Sequence, residues 1–117
     1  MTRVRSTIVL LLWLSATTAN AAFFLDSAGL KEWLTEFEAY QERREIRYMA
    51  KASQYVGYVS GMVDALDGTR FCLPAGVTAE GAAERVAKHV REHPEVLTHR
   101  ASKAVISALG VNYPCKR

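Results

Sequence analysis

The 117-residue sequence predicts an all-α protein, a small compact bundle of about four helices stapled by one disulfide. Three observations carry that prediction. Apolar residues recur at helical spacing, and no segment alternates with period two for long enough to suggest a sheet. Gly, Pro and Ser/Thr/Asp fall where helices should start and stop. The two cysteines, Cys72 and Cys115, can pair in one way, and an even count in an exported chain favours a bond.

Export is read from the first residues, MTRVRSTIVLLLWLSATTANA. Arg3 and Arg5 precede an apolar run from Ile8 to Leu14, and Ala19-Asn20-Ala21 forms an A-x-A cleavage site. The run falls far short of the ~20 apolar residues that a membrane span needs. Residues 1–21 are therefore expected to be a cleaved secretory signal, with 22–117 a single soluble, periplasmic domain. From Ala22 onward there are 13 Lys+Arg and 12 Asp+Glu, a net charge of +1 with the signs interleaved, as in Glu42-Arg43-Arg44-Glu45. Nucleic-acid binding calls for a clustered basic footprint, which this pattern does not provide.

Leu30, Trp33, Leu34, Phe37 and Tyr40 line one face of a first helix, with Asp26 or Ser27 available as its cap. Residues 41–47 form a charged run that fits a kink, a short link or continuous helix. A second helix is expected from about Arg44 to Leu66. Met49, Ala52, Val56, Val59, Val63 and Leu66 share its broad apolar face, flanked by Tyr48, Tyr55 and Met62, while Ala50, Ser53, Gly57, Gly61 and Asp64 lie roughly opposite. Bulk on one side and small residues on the other predict a sandwiched central helix. Each interior glycine costs ~1 kcal/mol relative to alanine, so close approach of another helix to the bare backbone is the expected compensation. Asp64, on the same strip, could accept hydrogen bonds from the incoming segment. That segment is either the last helix or a second chain.

Gly68 is a natural left-handed stop for this helix. A loop through Phe71, Cys72, Pro74 and Gly76 leads to Thr78, which caps a third helix, with Val77 and Ala82 placed for a hydrophobic staple. Ala79, Ala82, Ala83, Val86, Ala87 and Val90 form its inner face. Pro94 ends it or begins a short turn. A last helix, from about Thr98 or Arg100, buries Ala101, Ala104, Val105, Ala108 and Leu109 and is expected to close at Gly110. The chain then runs through Tyr113 and Pro114 to Cys115, and pairing with Cys72 closes a loop worth ~4 kcal/mol in the chain-entropy model.

The sequence offers no catalytic constellation. His89 and His93, four apart, share a helix face, and His99 could join them, but HVREH lacks the glutamate placement of a zinc-protease motif. A solvent-facing pair favoured by the helix dipole is the plainer account. Paired cysteines supply no thiolate, and no serine sits in a nucleophile-elbow context. The chain is read as a non-enzyme, with no catalytic, cofactor-binding or metal residues and no cofactor.

The ordered set GYVSGMVDAL, FCLPAGVT, HPEVL, ASKAVISAL and NYPC, from Gly57 to Cys115, resembles the Rap/Tai family of immunity proteins. The match rests on Gly57, Tyr58, Gly61, Asp64, Cys72, Pro74, Thr78, His93, Pro94, Glu95, Ala101, Leu109, Pro114 and Cys115. The resemblance implies a small exported helical protein that often dimerises and protects bacteria from a peptidoglycan-cleaving amidase effector of a type VI secretion system by blocking its active-site cleft. The matched residues look like the signature of a fold rather than an inhibitory surface, so the partner-binding residues stay unknown. Three departures stand out: no cysteine near Tyr55, Gly81 where relatives often carry Gln, and Thr98 followed by His99 where relatives carry His. The alternative reading is a periplasmic stress or chaperone-like binding protein with no specific toxin partner. It would protect unrelated proteins from aggregation.

Overall fold

The computed structural model describes residues 24–98 and 100–116, which form four α-helices and one short 3₁₀ turn. The signal segment, Ala22, Phe23, His99 and Arg117 lie outside the described residues. In order the elements are α1 (Ser27–Gln41), α2 (Met49–Leu66), α3 (Ala79–Glu92), the 3₁₀ turn Pro94–Val96, and α4 (Ala101–Asn112). The all-α expectation holds, and Cys72 and Cys115 are bonded, with their Cα atoms 4.8 Å apart.

Asp26 is the residue that caps α1: its Oδ1 accepts from the Gly29 amide at 2.8 Å. Buried Leu30, Leu34 and Phe37 face the core, whereas Tyr40 at the far end is half exposed. The charged run is a link. The Arg44 amide donates to Ala39 O (2.8 Å) and the Arg43 amide to Tyr40 O (3.2 Å), with Arg43 at φ 55°. This is a Schellman stop, built on arginine where glycine is usual. The link is then held by α1 itself, because Glu36 Oε2 accepts from the amides of Arg47 (3.0 Å) and Tyr48 (3.3 Å). A carboxylate there satisfies free donors and favours the positive end of α2, whose own N-cap, Tyr48, has no side-chain cap bond. Helix α2 accordingly starts at Met49, not at Arg44.

On α2, Ala52, Tyr55 and Val59 are buried, and Val56, Met62, Val63 and Leu66 are half buried against the core. Tyr55 is fully enclosed. Its ring packs on Phe37 at 4.9 Å between centroids, and its hydroxyl donates to Ala83 O on α3 at 2.7 Å. That bond settles the polar end of an otherwise costly buried phenol, and burial pushes its ionisation far above the ordinary range. Gly68, at φ +86°, provides the left-handed stop after Asp67.

The loop from Asp67 to Leu73 is tied down before the disulfide acts. Asp67 Oδ1 accepts from the Leu73 amide (2.9 Å), the Gly68 amide donates to Phe71 O (2.8 Å), and the Cys72 amide donates to Tyr113 O (2.8 Å). Phe71 is completely buried and anchors this loop in the core. Thr78 Oγ1 caps α3 through the Gly81 amide at 3.0 Å, as the sequence predicts. Ala82, Ala83, Val86, Ala87 and Val90 are buried, while Ala79 is exposed. Ala101, Ala104, Val105, Ala108 and Leu109 of α4 are all at 0 % exposure. Gly110 does not close α4. It lies inside the helix, where a Cβ would meet Arg70 O at 3.6 Å, and the helix runs on to Asn112. At the opposite end, the Ala101 amide donates to Leu25 O at 3.2 Å, fastening the start of α4 to the start of α1.

Candidate functional site: an uncharged face on α2

The expectation that Gly57 and Gly61 admit a neighbouring helix of the same chain is overturned. A Cβ built on either glycine meets nothing within 4 Å. Ala50, Ser53, Gly57, Gly61 and Asp64 are all exposed, so α2 is covered on one side only and is not sandwiched. The apolar side chains of α1, α3 and α4 all reach the bulky face of α2, and nothing of the described chain crosses the smooth one. The small residues therefore form a surface. Of the 18 residues of α2, Lys51 and Asp64 alone carry charge, and Asp64 is the single charge on this strip. An exposed helix face normally carries its charges outward, so this one has the composition of a face meant to be covered.

The strip continues at its N-terminal end into a shallow apolar groove. About 370 Å³ in volume, it is lined by Phe37 and Tyr40 of α1, Met49, Ala52, Ser53 and Val56 of α2, and Glu80 of α3. Tyr40, Tyr48 and Met49 are each about half exposed at its rim. The rim is ordered by polar contacts. Gln41 Nε2 donates to Glu80 Oε1 at 3.0 Å, and Lys51 Nζ lies 4.7 Å from the centre of the Tyr48 ring while pairing with Glu32 at 3.1 Å. Aromatic residues and methionine around a depleted-charge centre are the composition of protein–protein interface cores. At the other end, Asp64 shares a groove of about 190 Å³ with Ser60, Val63, Leu73 and Thr78 beside the start of α3, without a hydrogen bond to that helix.

The remaining signature positions serve the scaffold and do not converge on one place. Tyr58 spans two helices: its ring meets Trp33 of α1 edge-on at 6.3 Å, and its hydroxyl bonds Ser102 of α4, with burial raising its ionisation. Pro74 turns the loop, its carbonyl accepting from Val77. Thr78 caps α3, and Pro94 opens the 3₁₀ turn at the opposite end of that helix. Pro114 sets Cys115 beside Cys72. The exposed aromatics of the groove were not singled out by sequence reasoning. Tyr40 and Met49 had been assigned to buried faces, and their exposure could be foreseen only by knowing where α1 ends.

The histidines also need correction. His89 is buried at 8 % exposure rather than solvent-facing, and its ring lies against that of His93 with centroids 4.8 Å apart. Among the described residues no group of three His, Cys, Asp or Glu is placed to hold a metal ion. Both cysteines are in the disulfide. The α2 face therefore offers recognition chemistry, namely apolar contact and close backbone approach, rather than reactive groups. No helix among the described residues is long and apolar enough to cross a membrane.

No curated protein and no solved structure matches the chain. A family model does match, that of the Rap1a immunity proteins, over residues 28–115. That span runs from the first turn of α1 to the second half-cystine and takes in every helix, the tethered loop and the disulfide. The chain belongs to the Rap1a family of immunity proteins.

Proposed function

We propose that this protein is exported to the periplasm after cleavage of residues 1–21 and there binds a peptidoglycan-cleaving amidase effector of a type VI secretion system, occluding its active-site cleft. Membership of the immunity family over residues 28–115 is the observation that carries the reading, because an immunity protein acts by binding an effector. The disulfide supports an oxidising destination. The protein acts by holding its partner, not by catalysis. The test mixes the purified chain with the secreted amidase encoded beside its gene and follows peptidoglycan cleavage. Stoichiometric loss of activity is expected, and an amidase that stays fully active with the chain in excess would sink the proposal for that pair.

A homodimer built through the α2 face belongs to the same reading. A two-fold contact sets each residue near its symmetry mate, so a self-pairing face must avoid like charges at its centre. The stretch around Gly57 and Gly61 is uncharged, and Asp64 lies toward one end. Gly61→Leu fills space that is empty within one chain. The variant should therefore fold normally and scatter light as a monomer while the wild type scatters as a dimer. Identical masses for the two would refute the interface.

A further inference from the structure

The end of α3 holds a cluster of ionisable groups that neither the core nor the α2 face uses. His89 lies on the inner side of the last turn at 8 % exposure, with its imidazole tilted 36° against that of His93 at 4.8 Å. The backbone joins the same two residues, because the His93 amide caps the helix on His89 O at 2.8 Å. From His93 the chain enters the 3₁₀ turn. Its carbonyl accepts from the Val96 amide (3.1 Å), and the Leu97 amide donates to Pro94 O (3.1 Å). Val96 and Leu97 are half buried against the core, so the turn is a lid on the seam between α3 and α4. The ionisable groups acting on the His89 ring are His93 and Glu92 of α3 and Glu95 of the turn. Glu95 Oε1 is 3.3 Å from His93 Nδ1.

We propose that the His89–His93 pair is an acid-operated latch: neutral, the stacked rings hold the 93–97 turn on the core, and protonation of the pair releases it. Two charged imidazoles at this separation repel, and one of them has little water to solvate its charge. The carboxylates of Glu92 and Glu95 and the negative end of the α3 dipole oppose release, but both carboxylates are exposed and screened. Burial, followed by the charge on His93, outweighs them and lowers the His89 ionisation below 6.5. With the folded value depressed, the unfolded or opened chain binds more protons than the closed one. The latch is thus fully closed above 6.5 and loosens as pH falls below it. The latch does not depend on which effector is bound.

The test is an NMR titration of the three imidazoles, assigned from single His→Gln variants, combined with amide hydrogen exchange from pH 7.5 to 5. The His89 midpoint should lie below 6.5 and rise toward it in His93→Gln. Protection of the Val96 and Leu97 amides, corrected for intrinsic rates, should fall by up to about tenfold per pH unit through the His89 titration. His89→Gln should abolish that dependence. If His89→Gln does not fold, His93→Gln must still weaken the dependence. A His89 midpoint at or above 6.5, or protection that ignores pH in the wild type, overturns the latch.

Discussion

Replacing both strip glycines with alanine should stabilise the isolated chain. Gly57 and Gly61 lie in the middle of α2 and neither has a positive φ, so the backbone accepts an L side chain at both. The added methyl groups meet nothing within 4 Å, so no steric penalty offsets the gain in helix propensity. Two helical glycine-to-alanine changes of about 0.8 kcal/mol each give about 1.6 kcal/mol, lying largely in the unfolded state, which loses backbone freedom. For a domain of this size that corresponds to a Tm rise of roughly 6–12 °C. The assay is thermal and urea unfolding at a dilution where sedimentation shows monomers, repeated at concentrations that favour association. At dilution the double variant should be the more stable form. At high concentration it should associate less than the wild type, because the methyl groups hold the crossing backbones apart. A double variant less stable than the wild type at dilution would refute the reasoning. It would mean that the chain itself approaches those glycines, and the free face would not exist.

Three further outcomes follow from other parts of the fold. Cys72→Ser with Cys115→Ser should cost about 4 kcal/mol, the chain-entropy value for the loop that the bond closes, read as a fall in the urea midpoint. Arg43→Gly should raise Tm by relieving the left-handed arginine at φ 55°, a gain of about 1 kcal/mol less the entropy that glycine adds to the unfolded chain. Glu38 is held above its ordinary value chiefly by burial, with Arg91 at 3.5 Å only partly compensating. A raised folded value in an acid means that its charge opposes folding at neutral pH and that this cost is relieved as pH falls toward 4.5. Glu38→Gln should therefore be at least as stable as the wild type at pH 7, with the advantage gone by pH 4 in urea titrations.

Legibility in the sequence tracked how local the determining physics is. The cap at Thr78, the stop at Gly68 and the inner face of α4 depend on neighbours within a few residues, and all three could be read directly. The end of α1 could not, because its Schellman stop uses Arg43, and an arginine in the left-handed region has no compositional mark. The start of α2 is set by Glu36, eleven residues before the Arg47 amide that it accepts from, which is tertiary information. Missing that boundary carried Tyr40 and Met49 to the wrong side of the surface. Gly110 misled in the opposite direction. Glycine after an apolar run resembles a terminus, but α4 continues past it to meet the loop at Arg70. The disulfide was legible from a count of two, and the buried His89 was not, because amphipathic periodicity does not distinguish an inward imidazole from an outward one.

The disulfide and the bare face of α2 have a common logic. A helix left uncovered on one side lacks the packing that would otherwise fix its far end, and the α2–α4 contact is slight compared with the α1–α2 contact. The loop after α2 compensates: Phe71 enters the core, Cys72 hydrogen-bonds Tyr113 through its amide, and the bond to Cys115 locks the same junction covalently. With its C-terminal end held this way and its N-terminal end held by Glu36, α2 is fixed at both ends without anything lying across its middle. Cysteine and carboxylate thus take over a role that a fifth helix would fill in a larger domain. The smooth face can then stay open and still be rigid, which lowers the ordering cost when a partner covers it. If the disulfide is what presents that face, reducing it under conditions where the helices persist should weaken association before it unfolds the chain. Sedimentation and circular dichroism on the same reduced sample check the order of events. Unchanged association with the bond open would show that core packing alone positions α2.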